Sequence, residues 1–276
     1  PDLQYVEYYS PTTQRGNQYN GRVDYQLTSK DLIAGSVYFT NLDQTSADAA
    51  SASMPSADVP FKPLNSAITG IYIHTFSPVV LNELRSNFTR FADNQVSDSS
   101  NVNWGIPRIK VENFPFGALF VAGAPQGDTT PSILAQNTYE TRDTLTWVRG
   151  GHTFHFGGQF RWEQNNDNDL GGARPLYSFS GLWNLANDAP IFEQINASPV
   201  TGGAATAQRY FRTHTYAGFI QDDWHVVSGL TLNLGLRYEF FSPITEARNQ
   251  NTNILLGASG LSPLIDAKVV PVNHFY

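Results

Sequence analysis

The chain has 276 residues, of which 41% are hydrophobic, 15% charged and 13% aromatic, with a formal net charge of -7. It contains no cysteine, which excludes disulfide scaffolds, thiol catalysis and thiolate metal sites, and the lack of a basic cluster argues against nucleic-acid binding. The sequence has no run of about 18 apolar residues and so predicts no transmembrane helix, and no signal peptide is apparent. Neither absence excludes a membrane β-barrel, whose strands carry apolar residues at alternate positions.

Four pairs of alternating segments, each joined by a tight turn, are predicted in chain order. The turns "TSKD", "SPVV", "RGGH" and "SGL" contain the Gly, Pro, Ser and Asp that such turns require. The predicted hairpins span residues 19–41, 67–91, 137–163 and 210–241. Long polar stretches follow them near 42–66, 92–132, 164–209 and 242–270. Because every long connection lies at the same end of the strands, the order favours an outer-membrane barrel with periplasmic turns and extracellular loops.

Two strands show the alternation most clearly. In residues 152–163 and 230–241 the apolar row predicted to face lipid contains Phe154, Phe156, Phe160, Trp162, Leu232, Leu234, Leu236 and Tyr238. The opposite row, predicted to face the lumen, contains Gln159, Arg161, Glu163, Asn233, Arg237 and Glu239. At ~3.3 Å per residue and a tilt of about 40°, these apolar rows rise roughly 20 and 25 Å, close to the ~25 Å apolar band of such barrels.

Aromatic residues are predicted at two levels of the strands. Phe76, Trp147 and Trp224 precede tight turns, whereas Trp162 and Tyr238 lie at the opposite strand ends. Such rings form the girdles at the two membrane interfaces. The alternative is that they fill the core of a soluble, half-buried sheet. One acidic residue, Asp222, falls on the apolar row of its strand, and we expect it near the periplasmic rim.

The sequence also resembles a known family. The segment "YAGFIQDDWHVVSGLTLNLGLRYEFFSPITEARNQ" resembles the barrel of TonB-dependent outer-membrane receptors, and more narrowly the Oar-like acidobacterial group that has a carboxypeptidase-regulatory-like amino-terminal domain. "WVRGGHTFHFGGQFRWEQN", "HTFSPVVLNELRSNFTRF" and "YNGRVDYQLTSKDLIAGSVYF" resemble earlier hairpins of the same barrel. The resemblance implies a barrel of about 22 strands with a plug in its lumen. It also implies nutrient import with energy delivered through an amino-terminal box.

The expected fold class is therefore all-β, an antiparallel meander of long transmembrane strands that forms part of a large outer-membrane β-barrel. We expect an internal fragment of that barrel, without plug or box, because about eight strands cannot close at the family diameter. The resemblance implies outer-membrane lipid, a plug domain, a TonB-type energising protein and an unknown transported ligand as partners. We expect no catalysis and no cofactor, because no catalytic or nucleotide-binding fingerprint is present.

Few residues suggest site chemistry. His152 and His155 fall on opposite faces of one strand and cannot share a metal. Asp223 and His225 share a face and could bind an ion. A weak calcium-loop candidate consists of Asn165, Asp167 and Asp169, although its glycine comes one place late and the closing glutamate is missing. A solvated turn is the favoured reading of that segment.

Two other functions fit parts of the pattern. The first is a small self-closed barrel with a structural or adhesion role, which requires pairing between the strands near residues 20 and 235. The second is a soluble β domain that binds carbohydrate or protein through loops such as "YSFSGLW". Dependence on detergent separates the soluble domain from both membrane alternatives.

Overall fold

The structure is a computed structural model that describes residues 13–46, 59–95, 107–114, 117–121, 132–168, 175–197, 202–203, 208–255 and 268–272. Its elements, in chain order, are β1 (Thr13–Gln26), β2 (Asp31–Ser46), β3 (Val59–Phe61), β4 (Leu64–Ser77), β5 (Val80–Gln95), β6 (Arg108–Phe114), β7 (Gly117–Val121), β8 (Ser132–Arg149), β9 (His152–Asp167), β10 (Leu176–Phe179), α1 (Leu182–Ala186), β11 (Phe192–Gln194), β12 (Arg209–Val227), β13 (Leu230–Phe241), β14 (Thr245–Glu246), β15 (Asn251–Leu255) and β16 (Lys268–Val272). No helix within these ranges is long and apolar enough to cross a membrane.

Eight of the strands are long, with 12 to 19 residues each, whereas strands of globular proteins usually have about 5–6 residues. They are hydrogen-bonded in the order β1-β2-β4-β5-β8-β9-β12-β13, so each long strand pairs antiparallel with the next one along the chain. The predicted all-β antiparallel meander is confirmed. Within the described ranges, β1 and β13 lie at the two ends of this order and do not pair with each other.

The four hairpin turns lie at one end of the long sheet, at residues 27–30, 78–79, 150–151 and 228–229. Gly150 and Gly229 have φ angles of +62 and +98, a region that residues with a Cβ rarely occupy. The register shifts by one residue beside two of the turns, between Thr75 and Ser77 and between His225 and Val227. These β-bulges lie at the turn end of the sheet, where bulges commonly terminate pairing.

The register sorts the side chains of the long sheet onto two faces, because residues directly opposite in an antiparallel ladder share a face. One cross-strand row consists of Leu236, Ile220, Phe156 and Leu145. The next row consists of Gly235, Gln221, His155 and Thr146. We call the face of the first row the apolar face and that of the second row the polar face.

Very little of the long sheet is packed as a protein core. The buried hydrophobic residues of the described ranges are Ala34, Val111 and Phe179, and of these only Ala34 belongs to the long sheet. On the edge strand β13, Leu236 and Tyr238 are 73% and 71% exposed. Contiguous exposed apolar surface of this kind marks contact with a partner or a membrane.

A second sheet forms at the end opposite the hairpin turns. Its four strands come from two long connections and pair in the order β11-β10-β6-β7. The two connections meet where β6 and β10 pair in parallel, and the Arg108 backbone N–H donates to the Pro175 carbonyl over 2.7 Å. Val111 and Phe179 are buried in this sheet, at 0% and 4% exposure. The sequence predicts these connections only as long polar stretches.

The segment that follows β13 folds back onto the part of β12 that extends beyond β13. Its strand β14 pairs antiparallel with β12. The Glu246 side chain is 2% exposed, and its carboxylate accepts hydrogen bonds from the backbone N–H groups of Tyr210, Arg248 and Gln250 at 2.9, 2.8 and 2.8 Å. A buried carboxylate with three backbone donors fixes this segment to the sheet.

Candidate functional site

The apolar face contains all ten residues that the sequence predicts to face lipid. The register places these ten residues on one side of β8, β9, β12 and β13. They are Phe154, Phe156, Phe160, Trp162, Trp147, Trp224, Leu232, Leu234, Leu236 and Tyr238. The alternating apolar positions of the sequence therefore lie on one common face across four paired strands. Their contact with lipid, as opposed to their common side, remains a proposal.

Aromatic rings on this face contact one another at two levels. Near the hairpin turns the Trp147 and Phe154 rings are 5.5 Å apart. Toward the long connections, Tyr139 stacks on Trp162 with centroids 5.2 Å apart, and Phe88 lies 5.0 Å from Tyr139. Phe88 and Tyr139 were not among the predicted girdle residues, although both follow the alternation of their strands. Ring pairs at these distances add to the stability from burial alone.

The polar face contains all six residues predicted to face the lumen: Gln159, Arg161, Glu163, Asn233, Arg237 and Glu239. Arg237 donates to Glu239 on its own strand over 2.6 Å and to Gln159 on β9 over 2.9 Å. The guanidinium reaches β9 by crossing β12 at Ala217, the residue paired with both Gln159 and Glu239. A small side chain at that position leaves the space for this polar bridge.

The polar face also contains a contact between arginines and an aromatic ring that the sequence did not predict. The Phe219 ring of β12 lies between two guanidinium groups, with the Cζ atoms of Arg142 and Arg237 at 5.5 and 5.8 Å from its centroid. Both distances are within the range of cation–π attraction. Phe219 pairs directly with Gly157 of β9. An aromatic residue in a polar row opposite a glycine was the signal that could have revealed this contact.

At the end with the long connections, the polar face is hollowed into a cavity of about 420 Å³. It is lined by Gln136, Glu163, Asn165, Phe211, Arg212, Thr213 and Ile244. Ile244 belongs to the segment that Glu246 fixes, so this segment forms one wall. Of the charged lining residues, Glu163 lies on the polar face, whereas the register places the Arg212 side chain on the opposite face.

The weak calcium-loop candidate is only partly described. Asn165 and Asp167 lie on the polar face at the end of β9, and Asn165 lines the cavity. Asp169, the third residue of the candidate, lies outside the described residues. In the part of the chain that the structure describes, no group of three His, Cys, Asp or Glu side chains is placed to hold a metal ion. The calcium site therefore stays an untested prediction.

The histidines and aspartates of β9 and β12 divide between the two faces. On the polar face, His155 Nε2 is 3.7 Å from Asp223 Oδ2, and the ring of His225 bonds to the Thr231 hydroxyl over 2.8 Å. On the apolar face, His152 Nδ1 is 2.7 Å from Asp222 Oδ2. His152 and His155 thus lie on opposite faces, as their spacing predicts.

Comparison with known proteins identifies the kind of sheet. A family model described as "Outer membrane beta barrel domain" matches residues 2–272. No curated protein matches the chain.

Two solved structures have a similar fold. The outer membrane transporter YddB from Escherichia coli is 10% identical with a TM-score of 0.56, over 85% of this chain and 29% of that one. P. aeruginosa FpvA, solved as an iron complex with a heterologous pyoverdine, is 12% identical with a TM-score of 0.52, over 86% of this chain and 31% of that one. At these identities the likeness concerns the fold. The chain spans less than a third of the length of either structure.

Proposed function

The chain belongs to the outer membrane beta-barrel domain family, and we propose that it forms part of the barrel wall of a TonB-dependent transporter for nutrient uptake. The family is located in the bacterial outer membrane, which argues against the alternative of a soluble β domain. One observation carries the proposal: the long sheet exposes large apolar side chains on one face and paired charges on the other. A barrel wall between lipid and a polar lumen has this division.

In this proposal the wall is passive and non-catalytic. The apolar face contacts lipid, and the polar face, with Arg237, Glu239 and Gln159 in one hydrogen-bonded set, lines the lumen. Exposed pairs of this kind keep a wall solvated without adding much stability. The long connections lie on the outside, where they and the cavity beside Arg212 meet the transported ligand.

The remaining parts of the transporter are proposed from the resemblance and from the two similar folds. In this proposal a plug domain and a TonB-type energising protein act with this wall, and the sequence resemblance supports membership of the Oar-like group. Because the chain covers 29% and 31% of the two similar structures, most of such a protein lies beyond it. Within the described ranges, β1 and β13 pair with no strand at their outer edges, which supports a larger barrel over a small barrel closed by these two strands.

The proposal is tested by uptake in cells. A strain lacking the gene and its parent are grown in complex medium, with and without an uncoupler, and nutrient depletion is followed by mass spectrometry. We expect at least one nutrient to be depleted by the parent only, and only without the uncoupler. Equal depletion of every nutrient by both strains would contradict a transport function.

A further inference from the structure

A group of polar and aromatic residues occupies the turn end of the apolar face, where that face should contain only lipid-compatible residues. We call it the turn-end cluster: Trp147, Arg149, His152, Phe154, Asp222 and Trp224. The register places them in two adjacent rows across β8, β9 and β12. In the first row Arg149 pairs with His152, and His152 with Trp224. The cluster therefore lies beside the turn of residues 150–151.

The imidazole of His152 is held in a fixed orientation. Its Nδ1 is 2.7 Å from Asp222 Oδ2, and its ring stacks against Phe154 and Trp224 with centroids 5.4 and 5.1 Å away and interplanar angles of 1° and 15°. The Asp222 carboxylate accepts the Nδ1 proton and directs Nε2 outward, and Nε2 carries a proton as well when the ring is an imidazolium. The side chain is 35% exposed, so Nε2 can reach a ligand outside the sheet.

Arg149 supplies a second donor on the same side. Its guanidinium lies over the Trp147 ring, with Cζ 5.6 Å from the centroid, and the residue is exposed. Among the described residues no carboxylate lies within ion-pair distance of it, in contrast to Arg22, Arg85, Arg161 and Arg237 of the polar face. A planar guanidinium without an acidic partner is suited to bind phosphate oxygens.

The residues around the cluster indicate whether the bound phosphate belongs to a lipid or to a soluble anion. From the cluster the face continues directly into the apolar row of Leu145, Phe156 and Ile220. A soluble anion would gain nothing from this row, whereas the acyl chains of a lipid would cover it. Trp147 and Trp224 also suit the boundary between apolar and hydrated layers. The short turns of outer-membrane barrels face the periplasm, where the leaflet consists of glycerophospholipids.

We propose that the turn-end cluster binds the headgroup phosphate of a glycerophospholipid in the periplasmic leaflet, with the Arg149 guanidinium as donor and His152 Nε2 as a second donor in the imidazolium form. Asp222 acts as a positioning residue through His152. The proposal rests on the lipid-facing orientation given under the proposed function. Its source of phosphate is a membrane lipid and not a free anion.

The test measures phospholipid binding by the complete protein, purified from outer membranes and delipidated in dodecyl maltoside. The probe is palmitoyl-oleoyl phosphatidylethanolamine, counted by native mass spectrometry. Arg149→Gln is compared with Arg142→Gln, which removes an arginine from the opposite face of the same strand. We expect Arg149→Gln to weaken binding roughly tenfold, as loss of a charge-assisted contact of about 1.4 kcal/mol implies. Arg142→Gln should leave it unchanged.

Three outcomes would overturn the proposal. They are equal binding by both variants and wild type, equal loss in both variants, and displacement of the lipid by inorganic phosphate or by glycerophosphoethanolamine at matched concentration. The last would identify a free-phosphate site. A separate readout keeps the two proposals distinct: heat-modifiable migration and outer-membrane fractionation of wild type report the barrel. If these fail, the proposed function fails; if they hold while lipid binding does not depend on Arg149, only this inference fails.

Discussion

The Phe219 ring lies directly across Gly157 on the polar face, and it fills the space that a side chain at residue 157 would need. A Cβ at Gly157 would meet the Cζ and Cε1 atoms of that ring and would come within 2.7 Å of the Asp143 carbonyl oxygen. The carbonyl belongs to the paired strand β8 and cannot move aside. The absence of a side chain in β9 therefore positions an aromatic ring from β12 between Arg142 and Arg237.

Replacing this glycine should destabilise the sheet. We expect Gly157→Ala to cost about 1–3 kcal/mol, as overpacking typically does, because Phe219 must leave its place between the two guanidinium groups. The measurement is urea unfolding of the complete protein in detergent, with heat-modifiable gel migration as the readout of the folded fraction. Gly70→Ala is the control, since a Cβ there has nothing within 4 Å. Similar midpoints for the two variants would contradict the described packing.

Charge should be tolerated on one face and not on the other. We expect Leu236→Arg, which lies opposite Ile220 midway along the strand, to destabilise the folded protein in membranes by roughly 2–4 kcal/mol, the cost of a cation at the lipid face near the bilayer midplane. Asn233→Arg is the control, because it places the same side chain on the polar face of the same strand. Folding into phospholipid vesicles at a series of urea concentrations measures both. Comparable losses for the two variants would show that the faces are not lipid and lumen.

The buried carboxylate of Glu246 should control the segment after β13. Glu246→Ala leaves the backbone N–H groups of Tyr210, Arg248 and Gln250 without their acceptor, at about 1–3 kcal/mol for each group that stays buried. We expect the segment to detach from β12, because detachment exposes these N–H groups to water and avoids the cost of leaving them buried without an acceptor. Hydrogen exchange of residues 245–250 should therefore rise, while exchange in β13 stays unchanged. Glu239→Ala, which removes an exposed carboxylate, should not raise exchange in the segment, and unaltered exchange in Glu246→Ala would refute this role.

The sequence was sufficient for the long sheet, because a period of two leaves a strong signal when one face is apolar and the other charged. Leu232, Leu234 and Leu236 alternate with Asn233 and Arg237 over one strand, and each tight turn connects neighbours in the chain. The two faces, the meander and the common end of the turns follow from this local information. The position of Asp222 beside a turn was also expected from its conflict with the apolar row.

Other features depend on residues far apart in the chain. The sheet at the opposite end joins β6 to β10, two short strands from different connections, and alternation within a short strand does not identify the strand with which it pairs. The contact of Phe219 with Gly157 and the pair of His152 with Asp222 require the register of β9 against β12. Register is set by the whole ladder and its bulges, so these partners could not be assigned from spacing alone.

The most direct measurement of the central claim is the accessibility of single cysteines in the outer membrane. The chain contains no cysteine of its own, so cysteines introduced at Gln159 and Asn233 on the polar face, and at Leu234 and Leu236 on the apolar face, can be compared after treatment with a water-soluble maleimide. The account predicts labelling at residues 159 and 233 and protection at residues 234 and 236, which a lipid-soluble reagent should reach instead. Equal labelling of neighbouring residues 233 and 234, or the reverse pattern, would contradict a wall between lipid and a polar lumen.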